Sequence, residues 1–270
     1  MTARIKHIAI VSDNFALSGR FYEAVFGMRT SPESRPESAV NCTDGYVGLN
    51  INPRKPGRQA GFDHFGFEVD DVEAVFERAR ASFPECEYLK RPSNRPFAGI
   101  SMHDPAGQVF DLSQEGMSNR GGVYVLKDGG GTREPRVTHF VLRSVIADKV
   151  TEFYRTVLQL DEVETRADDP RHYLTDGVVT LVVAPWKIGD YAGSGIERPA
   201  LDHIGFAVDD LEEFQSNIKR ITSRNAQLAP RQIDVGPEGE VRQKLLATCR
   251  YGQQQLSDPD CVLLDVHQAS

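Results

Sequence analysis

From residue 6 to residue 12 the chain is apolar and rich in β-branched side chains, the signature of a buried strand. Leu17, Phe21, Val25 and Met28 then recur at helical spacing, which predicts a helix over 17–27 with Ser18 and Gly19 as start signals. Two β-rich runs, at 38–43 and 46–51, flank Asp44-Gly45, a pair suited to a tight hairpin. The order then restarts. Residues 62–69 alternate, Val72, Val75, Phe76 and Ala79 mark a helix over 70–81, and strands are predicted near 87–90, 99–103 and 108–113. The first half therefore reads as strand, helix and three strands, twice over.

The second half repeats the first. His7 and His139 are 132 residues apart, as are Phe21-Tyr22 and Phe153-Tyr154, Val25 and Val157, and Asp44-Gly45 and Asp176-Gly177. The offset rises to 139 for His64 and His203 and for Asp70-Asp71 and Asp209-Asp210. It reaches 154 for Asp104-Pro105 and Asp258-Pro259 and for Asp111 and Asp265. An offset that holds and then steps up by 7 and 15 means one duplicated unit with two net insertions in its second copy. The seam lies between Gln114 and Arg136, where Gly121-Gly122, Gly129-Gly130-Gly131 and Pro135 break the pattern. A boundary near 130 gives domains 1–130 and 131–270, each large enough for its own core. The expected class is α+β, built from four βαβββ modules paired into two domains.

Composition narrows the function. With 31 basic and 39 acidic residues the net charge is −8, which argues against nonspecific nucleic-acid binding. Cys42, Cys86, Cys249 and Cys261 form no Cys-x-x-Cys pair and no zinc spacing, so they read as reduced thiols. No run approaches the length of a membrane span and no signal-like segment opens the sequence, so a cytoplasmic location is expected.

The recurring residues include a metal-ligand set. His7, His64 and Asp111 in the first half answer to His139, His203 and Asp265 in the second. Two imidazoles and a carboxylate on one face leave half an octahedron open to substrate or oxygen. One histidine per strand can point inward while Ile8, Ile10, Ile204 and Phe206 pack elsewhere. By contrast, Asp70-Asp71 and Asp209-Asp210 stand between a strand and a helix, where an aspartate caps the helix. Residues 225–256 hold the larger insertion, with Arg231, Arg242, Lys244, Arg250 and Tyr251. They form either a cap that binds an anionic substrate through Arg231, Arg242 and Lys244 or a solvated surface loop. Tyr251, Lys244 and His172 are the acid–base candidates, with packing as the competing role for Tyr251 and a structural or exposed role for His172.

Two strands, Asp63-His64-Phe65-Gly66-Phe67 and Asp202-His203-Ile204-Gly205-Phe206, each lead to a paired aspartate, and each half closes on Asp-Pro followed by an aspartate-bearing strand. On these motifs, over nearly its whole length, the chain resembles the vicinal oxygen chelate superfamily. That superfamily holds glyoxalase I, extradiol dioxygenases, methylmalonyl-CoA epimerase and the fosfomycin and bleomycin resistance proteins. The resemblance implies cup-shaped mixed sheets, each formed by a module pair around a divalent metal. The ligands it implies are His7, His64 and Asp111 in one cup and His139, His203 and Asp265 in the other. It implies iron(II) first, with manganese, nickel or zinc as alternatives, and a small oxygen-rich substrate. The four-module arrangement resembles two-domain extradiol dioxygenases, in which the second cup holds the iron. A glyoxalase- or epimerase-type isomerase or lyase, or a metal-free small-molecule binder, is the alternative. A homodimer is compatible with exposed sheet edges. Two departures stand out. Aspartate replaces the family's glutamate on both last strands, and Gln255 and Ser101 stand where ring-cleaving members carry tyrosine.

Overall fold

A computed structural model describes residues 3–30, 39–93, 97–114, 136–194, 198–247 and 249–269. The seam near 130 lies outside the described residues. The first module runs β1 (Arg4–Ser12), α1 (Phe15–Phe26), β2 (Arg29–Thr30), β3 (Val40–Thr43) and β4 (Gly48–Pro53). The second runs β5 (Gly61–Val69), α2 (Val72–Ser82), β6 (Tyr88–Lys90), β7 (Ile100–His103) and β8 (Val109–Gln114). The third runs β9 (Arg136–Ser144), α3 (Ala147–Val157), β10 (Asp161–Val163), β11 (His172–Thr175) and β12 (Thr180–Pro185), and adds a short helix, α4 (Ile188–Ser194).

The fourth module departs from expectation. After β13 (Leu201–Val208) and α5 (Leu211–Arg224) come a 3-10 turn (Ala226–Leu228) and a helix, α6 (Gly236–Ala247), and then only β14 (Gln254–Ser257) and β15 (Leu263–Gln268). The missing strand leaves a single backbone bridge, Arg231 to Ser257, on the outer side of β14. The insertion read as a loop thus contains a three-turn helix.

The strands form two mixed sheets, β2-β3-β4-β1-β5-β8-β7-β6 and β10-β11-β12-β9-β13-β15-β14. In each, an antiparallel pair at the centre is flanked by parallel neighbours. One face of each sheet is apolar, with Ile8, Ile10, Phe65, Phe67, Ile204 and Phe206 fully buried. This core runs through both halves: Phe26 stacks on Phe206 at 4.0 Å and Phe65 meets Phe140 at 4.7 Å. Asp71 and Asp210 cap α2 and α5 as their position predicts. Helix α1 is capped by Asn14 instead of starting at Ser18-Gly19. Gly19 lies inside it, where a Cβ would come within 2.7 Å of Val40.

The duplicated aspartates brace the halves against each other. Asp44 accepts from Tyr46 and Val47 N–H with Oδ1, shaping its own hairpin, and from Val137 N–H with Oδ2 at 2.9 Å. Asp176 does the same with Val178 and Val179, and its Oδ2 accepts from Ile5 N–H at 2.6 Å. Each hairpin therefore holds the first strand of the opposite half. The Asp-Pro turns divide their oxygens likewise. Tyr22 donates its hydroxyl to Asp258 and Tyr154 donates to Asp104, both at 3.1 Å. Among the described residues no helix is long and apolar enough to cross a membrane.

Candidate metal centres

Strand register carries the two ligand sets. His7 pairs with Gly66, Gly66 with Asp111 and Asp111 with Ser101 across β1, β5, β8 and β7. In the second sheet the same row reads His139, Gly205, Asp265, Gln255. Residues in one row share a face, and His64 and His203, two positions before each glycine, join that face. The glycine makes the convergence fit. A Cβ at Gly205 would lie 1.8 to 2.4 Å from three ring atoms of His139. At Gly66 it would come within 3.1 Å of the His7 Cβ. With no side chain between them, imidazole and carboxylate lean together, and the short aspartate arm suffices in place of glutamate.

A β-bulge orients the second histidine of each set. Ala9 pairs with His64 and Ile10 with Phe62, which leaves Asp63 as the extra residue, and β13 gains one residue over β9 between Leu201 and Ile204. The bulge brings successive side chains together. Asp63 bonds His64 Nδ1 at 2.7 Å and Asp202 bonds His203 Nδ1 at 3.0 Å, so each Nε2 faces the cluster. Arg58 holds Asp63 through both carboxylate oxygens at 2.6 and 2.8 Å. Arg143 holds Asp202 at 2.9 and 3.0 Å in a buried pair. Burial alone would raise the Asp202 pKa, but Arg143 and His203 overcome it and keep the carboxyl well below its usual range. Sequence reasoning missed Asp63 and Asp202 as orienting groups. The available signal was an aspartate directly before the histidine in both strands.

The spacing suits a cation. In the first cup His7 Nε2 lies 3.2 Å from His64 Nε2, which lies 3.3 Å from Asp111 Oδ2. In the second, His139 Nε2 lies 3.4 Å from Asp265 Oδ2. Ligands about 2.1 Å from one ion stand roughly 3.0 to 3.4 Å apart at octahedral to tetrahedral angles. In the second cup His139 Nε2, His203 Nε2 and Asp265 Oδ2 are buried and make no hydrogen bond. Without an ion, a proton fills the gap. Burial lowers the His64 pKa, but bonds to Asp111 and Asp63 outweigh it and hold it at about 9. Burial and the His64 charge push His7 down to about 3. His203, raised by Asp202 against burial, sits at about 9, and burial takes His139 to about 4.

Cys249 corrects the sequence reading. It belongs to the second cluster, where one ligand atom each from His139, His203, Cys249 and Asp265 lies within 4.8 Å of the others. The spacing rule missed it because its partners are brought by tertiary fold, not by neighbouring sequence. His267 also reaches this cup, with its ring 5.9 Å from His139. Tyr251 stacks on His139 at 4.4 Å, and its hydroxyl lies 3.4 Å from Thr180 Oγ1. His172 points the other way: strand alternation gives the cup face to Tyr173, and His172 lies between Glu162 and Asp148, the latter on α3. Arg231 and Lys244 are exposed and Arg242 is half-buried on α6, and none of the three is among the clustered ligand groups. Gln255 donates to Asp265 at 3.1 Å and Ser101 donates to Asp111 at 2.5 Å, so both tyrosine replacements orient a ligand carboxylate.

Residues 4–112 match the family model described as the Glyoxalase/Bleomycin resistance protein/Dioxygenase superfamily. A curated relative, the uncharacterized protein YaeR of Escherichia coli (strain K12), is 25% identical over 125 residues, covering 42% of this chain and 96% of the relative. Among solved structures, all of this chain aligns with the Mn(II)-bound glyoxalase from Novosphingobium aromaticivorans at TM-score 0.64, with 14% identity and 88% of that chain covered. It aligns as fully with the 2,3-dioxygenase LapB from Pseudomonas sp. KL28 at TM-score 0.64, with 18% identity and 94% coverage. It spans about half, 49%, of a xylose isomerase-like TIM barrel/4-hydroxyphenylpyruvate dioxygenase fusion protein, at TM-score 0.61 and 12% identity. At these identities the structural likeness is one of fold.

Proposed function

We propose that the chain, whose residues 4–112 match the model of the glyoxalase/bleomycin resistance protein/dioxygenase superfamily, is a divalent-metal-dependent enzyme acting on a small, oxygen-rich organic substrate in its first cup. An extradiol-dioxygenase-like oxidation is the leading reaction. The observation that carries this reading is access. His64 keeps 23% of its side chain exposed beside a nearly complete ligand face. In the second cup every ligand candidate is buried and Tyr251 covers His139. This reading departs from the one the resemblance implied, in which the second cup holds the iron.

A divalent ion in the first cup, iron(II) before manganese, nickel or zinc, supplies a Lewis acid with positions left for two adjacent substrate oxygens. The chain's own residues do the rest. The Arg58–Asp63–His64 chain fixes one imidazole, and Phe97 stacks on His7 at 5.0 Å to wall the other. Ser101 occupies Asp111 Oδ1, which leaves Oδ2 beside His64. Arg91 donates to Ser101 at 2.5 Å and is half exposed at the rim, where its guanidinium offers charge to an anionic substrate oxygen. Arg91 takes the role first given to Arg231, Arg242 and Lys244.

The second reading, a glyoxalase- or epimerase-type isomerisation, is favoured by Ser101 at the position where ring-cleaving relatives carry tyrosine. Anaerobic iron loading followed by oxygen uptake with a panel of catechols and hydroquinones separates the two. Uptake that disappears in His64→Ala supports the oxidation. No uptake with any member, combined with turnover of 2-oxoaldehyde thiol adducts by the manganese- or nickel-loaded protein, would move the assignment to isomerase. Failure of the first cup to bind any of these ions would sink both.

A further inference from the structure

We propose that the second cup is a closed, four-ligand site for a zinc-like divalent ion, in which Cys249 supplies a thiolate beside His139, His203 and Asp265. It stabilises the protein and does not turn over substrate. This goes beyond the proposed function and does not depend on which reaction the first cup runs.

Three observations meet here. The four ligand atoms lie within 4.8 Å of one another, close enough for one ion to gather all four, the number a structural zinc site uses. Three of them, His139 Nε2, His203 Nε2 and Asp265 Oδ2, are buried and find no well-formed hydrogen-bond partner outside the cluster, facing one another as atoms gathered on an ion would. Cys249 is buried beside the other three candidate ligands. It packs with Val141, Tyr173, Val182 and Ala184, while Tyr251 lies flat on the His139 ring. The segment 249–251 therefore fills the mouth of the cup with protein.

Closure distinguishes the two cups chemically. Structural zinc sites use four protein ligands, whereas catalytic sites keep a position open. The first cup offers three ligands and a partly exposed histidine. The position 154 residues before Cys249 is Arg95, so the first half has no thiol to offer there. A mixed nitrogen, sulfur and oxygen set selects zinc or cobalt(II) over magnesium or calcium. It also explains why the segment after α6 folds back onto the sheet: the ion would tie Cys249 to three strands.

The test uses full-length protein carrying His64→Ala, which disables the first cup, reconstituted with zinc. X-ray absorption should show one zinc per chain with one sulfur scatterer at about 2.3 Å. Cys249→Ser should lose the sulfur shell and release zinc to a chelator at least tenfold faster. The same protein loaded with cobalt(II) should show an intense thiolate charge-transfer band that Cys249→Ser abolishes. If His64→Ala does not fold, zinc-loaded wild type should show a half-occupied sulfur shell across its two zincs. Zinc held by nitrogen and oxygen alone, or no zinc retained once the first cup is disabled, would overturn the proposal. Loss of turnover with the sulfur shell intact would instead strike only the proposed function.

Discussion

Gly205→Ala is the sharpest probe of the row geometry. The new Cβ would stand 1.8, 2.0 and 2.4 Å from Cε1, Nδ1 and Nε2 of His139. Non-bonded carbons settle near 3.5–4.0 Å, so the closest overlap is about 1.7 Å, far beyond what a small backbone shift absorbs. His139 has no exposed surface, and Tyr251 covers its other side, so the ring must leave the cluster. Overpacking alone should cost about 1–3 kcal/mol. Loss of an ion present at a thousand times its Kd would remove roughly 4 kcal/mol more. Gly66→Ala is the control: its nearest atoms lie at 3.1 and 3.2 Å, a misfit of a few tenths of an ångström that neighbours can absorb. Metal stoichiometry and thermal unfolding, with and without chelator, read the pair. Gly205→Ala should lose one metal per chain and its chelator-sensitive stabilisation, while Gly66→Ala keeps both. Equal metal content in Gly205→Ala and wild type, or a greater loss in Gly66→Ala, would refute the row geometry.

Three further outcomes are expected. Burial raises Asp258 to about 6 from a usual 3.8, so the folded protein holds this proton longer than the unfolded chain does. The associated stability is present below about pH 4 and lost as pH rises through 6, a fall of about 3 kcal/mol by neutrality. Denaturant melts in chelator should show this slope in wild type and not in Asp258→Asn; identical slopes would count against it. Arg143→Met leaves the buried Asp202 with His203 as its remaining charged partner and should cost about 3–5 kcal/mol, with most of that recovered in the Arg143→Met/Asp202→Asn double variant, measured by the same melts. Asp63→Asn removes the carboxylate from His64 Nδ1 and should weaken metal binding in the first cup about 10- to 100-fold by calorimetric titration, with the second cup unaffected.

Much of this architecture was legible because it rests on local periodicity. The alternation of 62–69 and the helical stripe from Val72 to Ala79 became β5 and α2 within two residues. The two clustered His/His/Asp sets were legible because each member sits in a motif that recurs. What escaped had no local signal. The fourth module lost a strand because its insertion folds as α6, and helical spacing is weak in 236–247, where Gly236, Pro237 and Gly239 fall in the first turn. Cys249 escaped because a thiol joining three strand residues leaves no spacing to read. His172 shows the limit of face assignment: a histidine next to an apolar pair can take either face, and Tyr173 took the inner one.

Recurrence within the chain reports two different things. Asp44, Asp104, Asp176 and Asp258 recur as faithfully as the ligands, yet they brace the halves: one oxygen shapes a local turn and the other bonds the opposite half. Packing alone keeps such residues in phase, whatever the cups do. The chemistry is better read where the repeat breaks. At an offset of 154, Phe97 becomes Tyr251, Ser101 becomes Gln255, Arg95 becomes Cys249 and Ser113 becomes His267. Ser101, Gln255, Ser113 and His267 lie on or beside the last strands, and Phe97 and Tyr251 stack on the first histidine of each set. Two candidate cups with the same three ligand types therefore differ in their surroundings, Arg91 and Ser101 beside Asp111 in one and a buried thiol with Tyr251 on His139 in the other. Different walls around the same triad set different access for substrate, which is why one cup can work while the other holds.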